Sequence, residues 1–311
     1  MKFVLSRVGQ ALLVLWAAFT VTFVILEVLP SDAIETKYNN AGGDSVNLTE
    51  ENLDALRSEF GLDLPLWQRY LQFCGRAIQL DLGNSISQNR PVTDLLVENL
   101  PPTLQLAGFA LAVGLVAGCA IAFLANWLRS PLLRRALTRL PALGVAFPSF
   151  WIGLLLVQLF SFHWQLFPAT GSRTPASVVL PGLMMAIGPA AILAQLLNRS
   201  LSETLQEQYI VTAGAKGLGR GEVFWRHALR NASLPALTIL GMMVAGTVTG
   251  AIVAETVFSR AGVGRLAQQA VEVQDLPLVQ GIVLMAAFAF VTVNLIVDLI
   301  YPVLDRRIKV S

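Results

Sequence analysis

The chain has 311 residues, 55% of them hydrophobic and only 14% charged, with a mean hydropathy of +0.63 and a formal net charge of +2. A soluble domain carries roughly 25% charged residues to solvate its surface, so the deficit points to surface that faces lipid. The small net charge gives no argument for nucleic acid as a partner, and no Cys/His cluster has the spacing of a zinc site.

A helix needs about 20 apolar residues to cross a hydrocarbon core of ~30 Å. Six stretches have that length and character: 8–29, 103–125, 140–160, 178–197, 236–257 and 278–301. Lys2 and Arg7 precede the first, as in a signal peptide, but the run is too long for a signal core. LEVLPSDA after it offers no small-residue cleavage site, so a retained helix is expected. Segment 30–102 reads as a small folded cap on the external mouth. In it Thr49 is placed to cap a helix, with Leu48 and Leu53 as its hydrophobic staple and Gly61 as its stop. A second helix is expected from Pro65, carrying Leu66, Trp67, Tyr70, Leu71 and Phe73. Cys74 in this polar segment and Cys119 in an apolar span are expected to stay unpaired.

Within the spans, Pro148 and Pro189 predict kinks. Gly114/Gly118 and Gly246/Gly250 have the small-x-x-x-small spacing that lets helices approach closely. Ionisable residues at span ends are functional candidates, here Glu27, Glu255 and Asp298. None lies at a midplane position that reads as a proton relay. Orientation follows from Lys and Arg. Lys2, Arg7, Arg129, Arg134, Arg135, Arg139, Arg199, Lys216, Arg220, Arg226, Arg230, Arg306, Arg307 and Lys309 fall on one side, and the short loops opposite hold only Arg173, Arg260 and Arg265. Both termini are therefore expected to be cytoplasmic, in agreement with an even number of spans.

The loop 198–235, between the fourth and fifth spans, is polar, basic and punctuated by Gly214, Gly217, Gly219 and Gly221. That pattern suits a tight turn between short helices. Ala213 and Ala215 are small enough for another protein surface to come close, and Lys216 and Arg220 hold the segment out of the membrane. The order of residues is more specific than the composition. Thr212-Ala213-Gly214-Ala215-Lys216-Gly217-Leu218, followed by His227, Arg230, Asn231, Ala232, Leu234 and Pro235, resembles the coupling loop of permease subunits from binding-protein-dependent importers of the ATP-binding-cassette class, peptide/nickel branch. The general loop of such importers begins Glu-Ala-Ala; Thr212, Ala213 and Gly214 stand there here. The resemblance extends over nearly the whole chain, through LDLGNSISQNRPVTDLLVENLPPTLQLA (80–107), GVAFPSFWIG (144–153), LFPATG (166–171), ETVFSRAGVGRLAQQAV (255–271) and PLVQGIV…NLIVDLIYPVLDRRIKV (277–310). The long segment after the first span resembles the first member of the usual permease pair.

This resemblance implies an all-α integral membrane protein of six transmembrane helices with the type-1 importer permease fold. It divides into an N-terminal helix (1–29), the external segment (30–102) and a five-helix core (103–311). It implies Thr212, Ala213, Gly214, Ala215, Lys216, Gly217, Leu218, His227 and Arg230 as the ATPase-coupling residues, and Glu255, inside the matched ETVF motif, as a candidate for an outer gate. The implied partners are a second permease, two ATP-binding-cassette domains, an external solute-binding protein and the bilayer of a prokaryotic inner membrane, with no nucleic acid. Peptides are the commonest cargo of this branch; nickel or other metal chelates, glutathione and opines are alternatives. No phosphate-binding loop, nucleophile elbow or paired catalytic carboxylate is present, so a non-enzymatic subunit without its own cofactor or metal is expected. A self-sufficient secondary transporter or channel is the reading of another class, and it would call for inverted repeats or intramembrane coupling residues.

Overall fold

A computed structural model describes residues 2–28, 64–79, 81–172 and 174–304. Among the described residues, regular structure is helical apart from one isolated β-bridge between Asn84 and Pro91. In chain order the helices are α1 (Lys2–Val28), α2 (Leu66–Ile78), α3 (Val92–Trp127), α4 (Pro131–Ala146) and α5 (Ser149–Leu156). A π-helical turn, Val157–His163, continues α5, and a 3₁₀ turn, Pro175–Val178, leads into α6 (Val179–Thr204). Then come α7 (Gln208–Ala215) and α8, which is built from Arg220–Glu222, a π-helical Val223–Ala228 and Leu229–Ala232. The chain continues with α9 (Leu234–Val257), α10 (Val263–Glu272) and α11 (Leu276–Leu304).

Among the described residues three helical stretches are long and apolar enough to cross a membrane: Val92–Trp127, Pro175–Thr204 and Leu276–Ile296. α4 with α5 and its π turn makes a fourth if that bent pair is one span, and α1 contributes a shorter apolar run, Gly9–Ile25. The stretch 140–160 was expected to be one span kinked at Pro148. It is broken between α4 and α5, whose axes differ by 103°. The reason lies at Phe147 and Pro148. Pro148 lacks the N–H that would continue the ladder and forces the residue before it out of helical geometry, and Phe147 is extended at φ −104°, ψ 141°. Pro189, by contrast, sits inside the unbroken α6. The helix expected over 49–61 and the side chains of Glu27 and Asp298 lie outside the described residues.

The chain separates into two compact units. One comprises α1, α2, α3 as far as Pro101, α10, and α11 as far as Leu295. Its core joins Val92, Leu95 and Leu96 to Val263, Leu266, Leu278 and Ile282. The helix expected from Pro65 is α2. It packs through Tyr70 and Phe73 on the Phe23 ring of α1, at 5.4 and 6.2 Å between centroids, while Leu66, Trp67 and Leu71 of the expected apolar set stay exposed. Asp275, fully buried, precedes the first turn of α11. Its Oδ2 accepts from the Ser85 and Ser87 hydroxyls, each at 2.6 Å, and from the Ser87 N–H at 2.8 Å, which holds the loop before α3 against that turn.

The other unit runs from Pro102 to Ala261 and resumes at Ile296. Leu106 and Ala110 of α3, Leu180 and Met184 of α6, and Ala254 and Phe258 at the end of α9 form one cluster. Ala122, Leu193, Leu197, Phe224 and Ala232 form another. Helices surrounded by lipid gain little from apolar transfer and depend on close packing. Gly118 of α3 provides it: a Cβ there would lie 2.9 Å from the Ala190 carbonyl oxygen and 3.1 Å from the Leu193 Cβ of α6.

Candidate functional site

The coupling candidates from Thr212 to Leu218 fall on α7 and the turn that ends it. Helical periodicity divides α7 into two faces. Ile210 and Ala213 are buried and meet Val223 and Ala228 of α8. Val211, Thr212, Gly214, Ala215 and Lys216 are exposed. Ala213 therefore does not offer itself to another protein as its small size led us to expect. It faces its own neighbour, three positions after Ile210, while Val211 and Ala215 are exposed.

The end of α7 is a Schellman turn. The Leu218 N–H donates to the Ala213 carbonyl at 3.4 Å and the Gly217 N–H to the Gly214 carbonyl at 3.0 Å. Gly217 sits in the left-handed region at φ +87°, which glycine enters without the Cβ penalty of other residues. Leu218 then folds back on the Ile210–Ala213 cluster, the hydrophobic contact that accompanies this motif. Nothing lies within 4 Å of where a Cβ on Gly217 would be. The turn is therefore open to the outside, and its glycine is required by backbone conformation rather than by crowding within the chain.

α8 supports this platform. Asn231 donates to the Tyr209 hydroxyl at 2.8 Å, tying α8 to the start of α7. Arg220 donates to the carbonyls of Asn126 and Trp127 at 3.3 and 2.9 Å and lies over the Trp127 ring, so it caps the C-terminal end of α3. Phe224 packs edge-on against Phe123 and Trp127. His227 is half-buried and Arg230 exposed on α8. The structure thus gathers Thr212 to Leu218 on one helix and its turn, with His227 and Arg230 on the supporting segment. The aromatic and arginine contacts were not singled out from the sequence as partners. Their one visible signal was the placement of Trp127 at the end of an apolar run and of Arg220 among glycines.

Glu255 is elsewhere, near the far end of α9, about 31 Å along the helix from its first residue at 1.5 Å per residue. It is fully buried and accepts from the Thr103 hydroxyl at 2.6 Å. Arg260, also buried, donates from its backbone to the Glu255 carbonyl at 2.8 Å, and its guanidinium donates to Ser177 Oγ at 3.0 Å and Gln105 Oε1 at 2.9 Å. Burial lowers the Arg260 pKa from its ordinary value and the charge of Glu255 opposes that shift. The pair joins α3, the 3₁₀ turn and the end of α9 through charge-assisted bonds. Among the described residues no cluster of His, Cys, Asp and Glu could hold a metal ion.

Residues 110–310 match the family described as binding-protein-dependent transport system inner membrane component, and residues 1–107 match the N-terminal region of such membrane components. A peptide permease protein of Brucella suis biovar 1 is 35% identical over the full length of both chains. The dipeptide transport system permease protein DppB of Escherichia coli K12 is 32% identical over 99% of each. Among solved structures, an inward-facing MetNI methionine ABC transporter superposes with a TM-score of 0.55 at 16% identity, over 69% of this chain and 98% of the other. At that identity the likeness concerns the fold alone. The chain belongs to the family of inner-membrane components of binding-protein-dependent transport systems; it is a multi-pass transport subunit, not a catalytic one.

Proposed function

We propose that this member of the binding-protein-dependent permease family is the first permease subunit of an ATP-driven peptide importer. In this reading it crosses the membrane six times with both termini cytoplasmic, in the type-1 permease arrangement, and segment 30–102 lies outside. It pairs with a second permease and two ATP-binding-cassette domains, and an external binding protein delivers its cargo. The full-length likeness to peptide and dipeptide permeases supports the choice of cargo.

The observation that carries the coupling assignment is the open helix and turn at Thr212–Leu218. It is a small-residue surface packed on α8, ended by a glycine at φ +87°. An ATPase that grips this turn moves α8 and, through it, the start of α9, the helix that carries Glu255 toward its other end. Glu255 and Arg260 then hold the outer end of the pathway in one of two arrangements, the bistable element that alternating access requires.

Gly217→Trp tests the assignment. It forces a bulky residue into the left-handed region, at about 1–2 kcal/mol, and projects an indole into the open space outside the turn. The variant is expected to insert at near wild-type levels and to lose co-purifying ATPase. Lys216→Ala is expected to do less. Normal ATPase recovery with Gly217→Trp would remove the coupling role from this loop.

A further inference from the structure

Arg129 precedes α4, and Arg134, Arg135 and Arg139 lie on it; all four are exposed. No ion pair engages their side chains among the described residues, and the sequence holds no carboxylate between Glu98 and Glu203. Three arginines on α6 and α8 are answered within the chain. Arg199 meets Glu203 at 2.9 Å and Arg226 meets Glu222 at 2.6 Å, each four residues apart on a helix, and Arg220 is spent on backbone carbonyls. On α4 the residue four places after Arg135 is another arginine. That arrangement repels, and with no carboxylate nearby in the sequence it calls for an anion from outside the chain.

The rest of α4 indicates what kind of anion. At 100° per residue, Arg134, Arg135 and Arg139 share one side of the helix. Leu132, Leu140 and Leu143 occupy the adjoining side and are 76%, 50% and 58% exposed. The inner side carries buried Pro141 and half-buried Gly144, the latter facing Ala191 and Ile187 of α6. A basic strip therefore runs beside an apolar strip, which is the pattern a phospholipid presents as a phosphate next to acyl chains. The 103° bend at Pro148 means that α4 and α5 cannot both run along the membrane normal. An α4 inclined to the normal keeps both strips at headgroup depth. The positive-inside bias is already met by Lys216, Arg220, Arg226 and Arg230, and it does not ask for four unopposed guanidinium groups between 129 and 139 beside a leucine strip.

We propose that this face of α4 binds the phosphate of anionic phospholipids, seating the headgroup on Arg134, Arg135 and Arg139 and an acyl chain on Leu132, Leu140 and Leu143. The site needs only the inner-membrane location and is independent of the coupling assignment and of orientation, since anionic lipid is available to either leaflet.

Native mass spectrometry of the full-length chain, offered phosphatidylglycerol and phosphatidylcholine in equal amounts, tests this. The wild type is expected to retain phosphatidylglycerol preferentially, and excess inorganic phosphate is expected not to displace it. R134Q/R135Q/R139Q is expected to lower that retention by about tenfold or more. The matching lysine variant should keep most of it, and R199Q/R226Q should leave it unchanged. In the wild type, a photoactivatable phosphatidylglycerol should crosslink within 129–143. Equal retention by the glutamine variant, displacement by inorganic phosphate, or crosslinks that avoid α4 would each overturn the proposal. So would loss of ATPase co-purification with lipid retention intact, which would make the arginines a protein contact instead.

Discussion

Gly217 and Ala213 stand four residues apart in the same short segment and teach different things. The need for glycine at 217 follows from a backbone rule: a helix that turns sharply after Lys216 ends most easily on a left-handed residue, and the observed φ of +87° is that conformation. The fate of Ala213 depends on which face of α7 has a neighbour. Composition does not encode that, and only the packing of Val223 and Ala228 reveals it. Glu255 and Arg260 show the same limit. Glu255 reads in the sequence as an ionisable residue near a span end and Arg260 as a charge in a short loop; their shared burial, with Thr103, Gln105 and Ser177 as partners, depends on contacts across more than eighty positions of sequence. Removing one charge leaves the other buried and uncompensated, typically a loss of about 3–5 kcal/mol. Arg260→Gln is therefore expected to lower the thermal unfolding midpoint of the purified chain sharply, and Glu255→Gln/Arg260→Gln to recover part of the loss. If the double variant loses the sum of the two single effects, the charges do not compensate each other.

At the scale of elements, long apolar runs are the most legible signal, because crossing lipid demands about 20 of them in a row. α3, α6 and α11 follow that signal closely. The kink expected at Pro148 in the third span takes the form of a 103° bend between α4 and α5, whereas the one expected at Pro189 leaves α6 unbroken. Short polar bridges were also invisible: Asn126 of α3 donates to Asn198 of α6 at 2.8 Å and accepts from Ser202, yet each is one amide or hydroxyl in or beside an apolar run. The spacing of Gly114 and Gly118 did point to close packing, and α6 is the partner. Gly118→Leu must displace the Ala190 carbonyl and Leu193, with a cost of about 1–3 kcal/mol for overpacking. Gly108→Ala, where nothing lies within 4 Å, is expected to be neutral or mildly stabilising. Melting curves in detergent separate the two. An undisturbed Gly118→Leu would mean that α3 and α6 pack less closely than described.

For the whole molecule, the proposed orientation rests on a charge asymmetry that contact geometry cannot supply, since no helix in isolation distinguishes the two faces of a bilayer. In a background without Cys74 and Cys119, Arg57→Cys is expected to react with a membrane-impermeant maleimide in intact cells and Thr212→Cys only after permeabilisation. Labelling of Thr212→Cys from outside would invert the topology. In the proposed function this chain moves peptide only when other subunits supply binding and ATP hydrolysis. The most direct measurement is uptake of a labelled dipeptide into proteoliposomes assembled with the second permease, the ATPases and the binding protein, omitting one component at a time. Uptake is expected to require ATP on the ATPase side and to be abolished by omission of the ATPases, the binding protein or this chain. Uptake by this chain alone, driven by an ion gradient or by the peptide gradient itself, would contradict it.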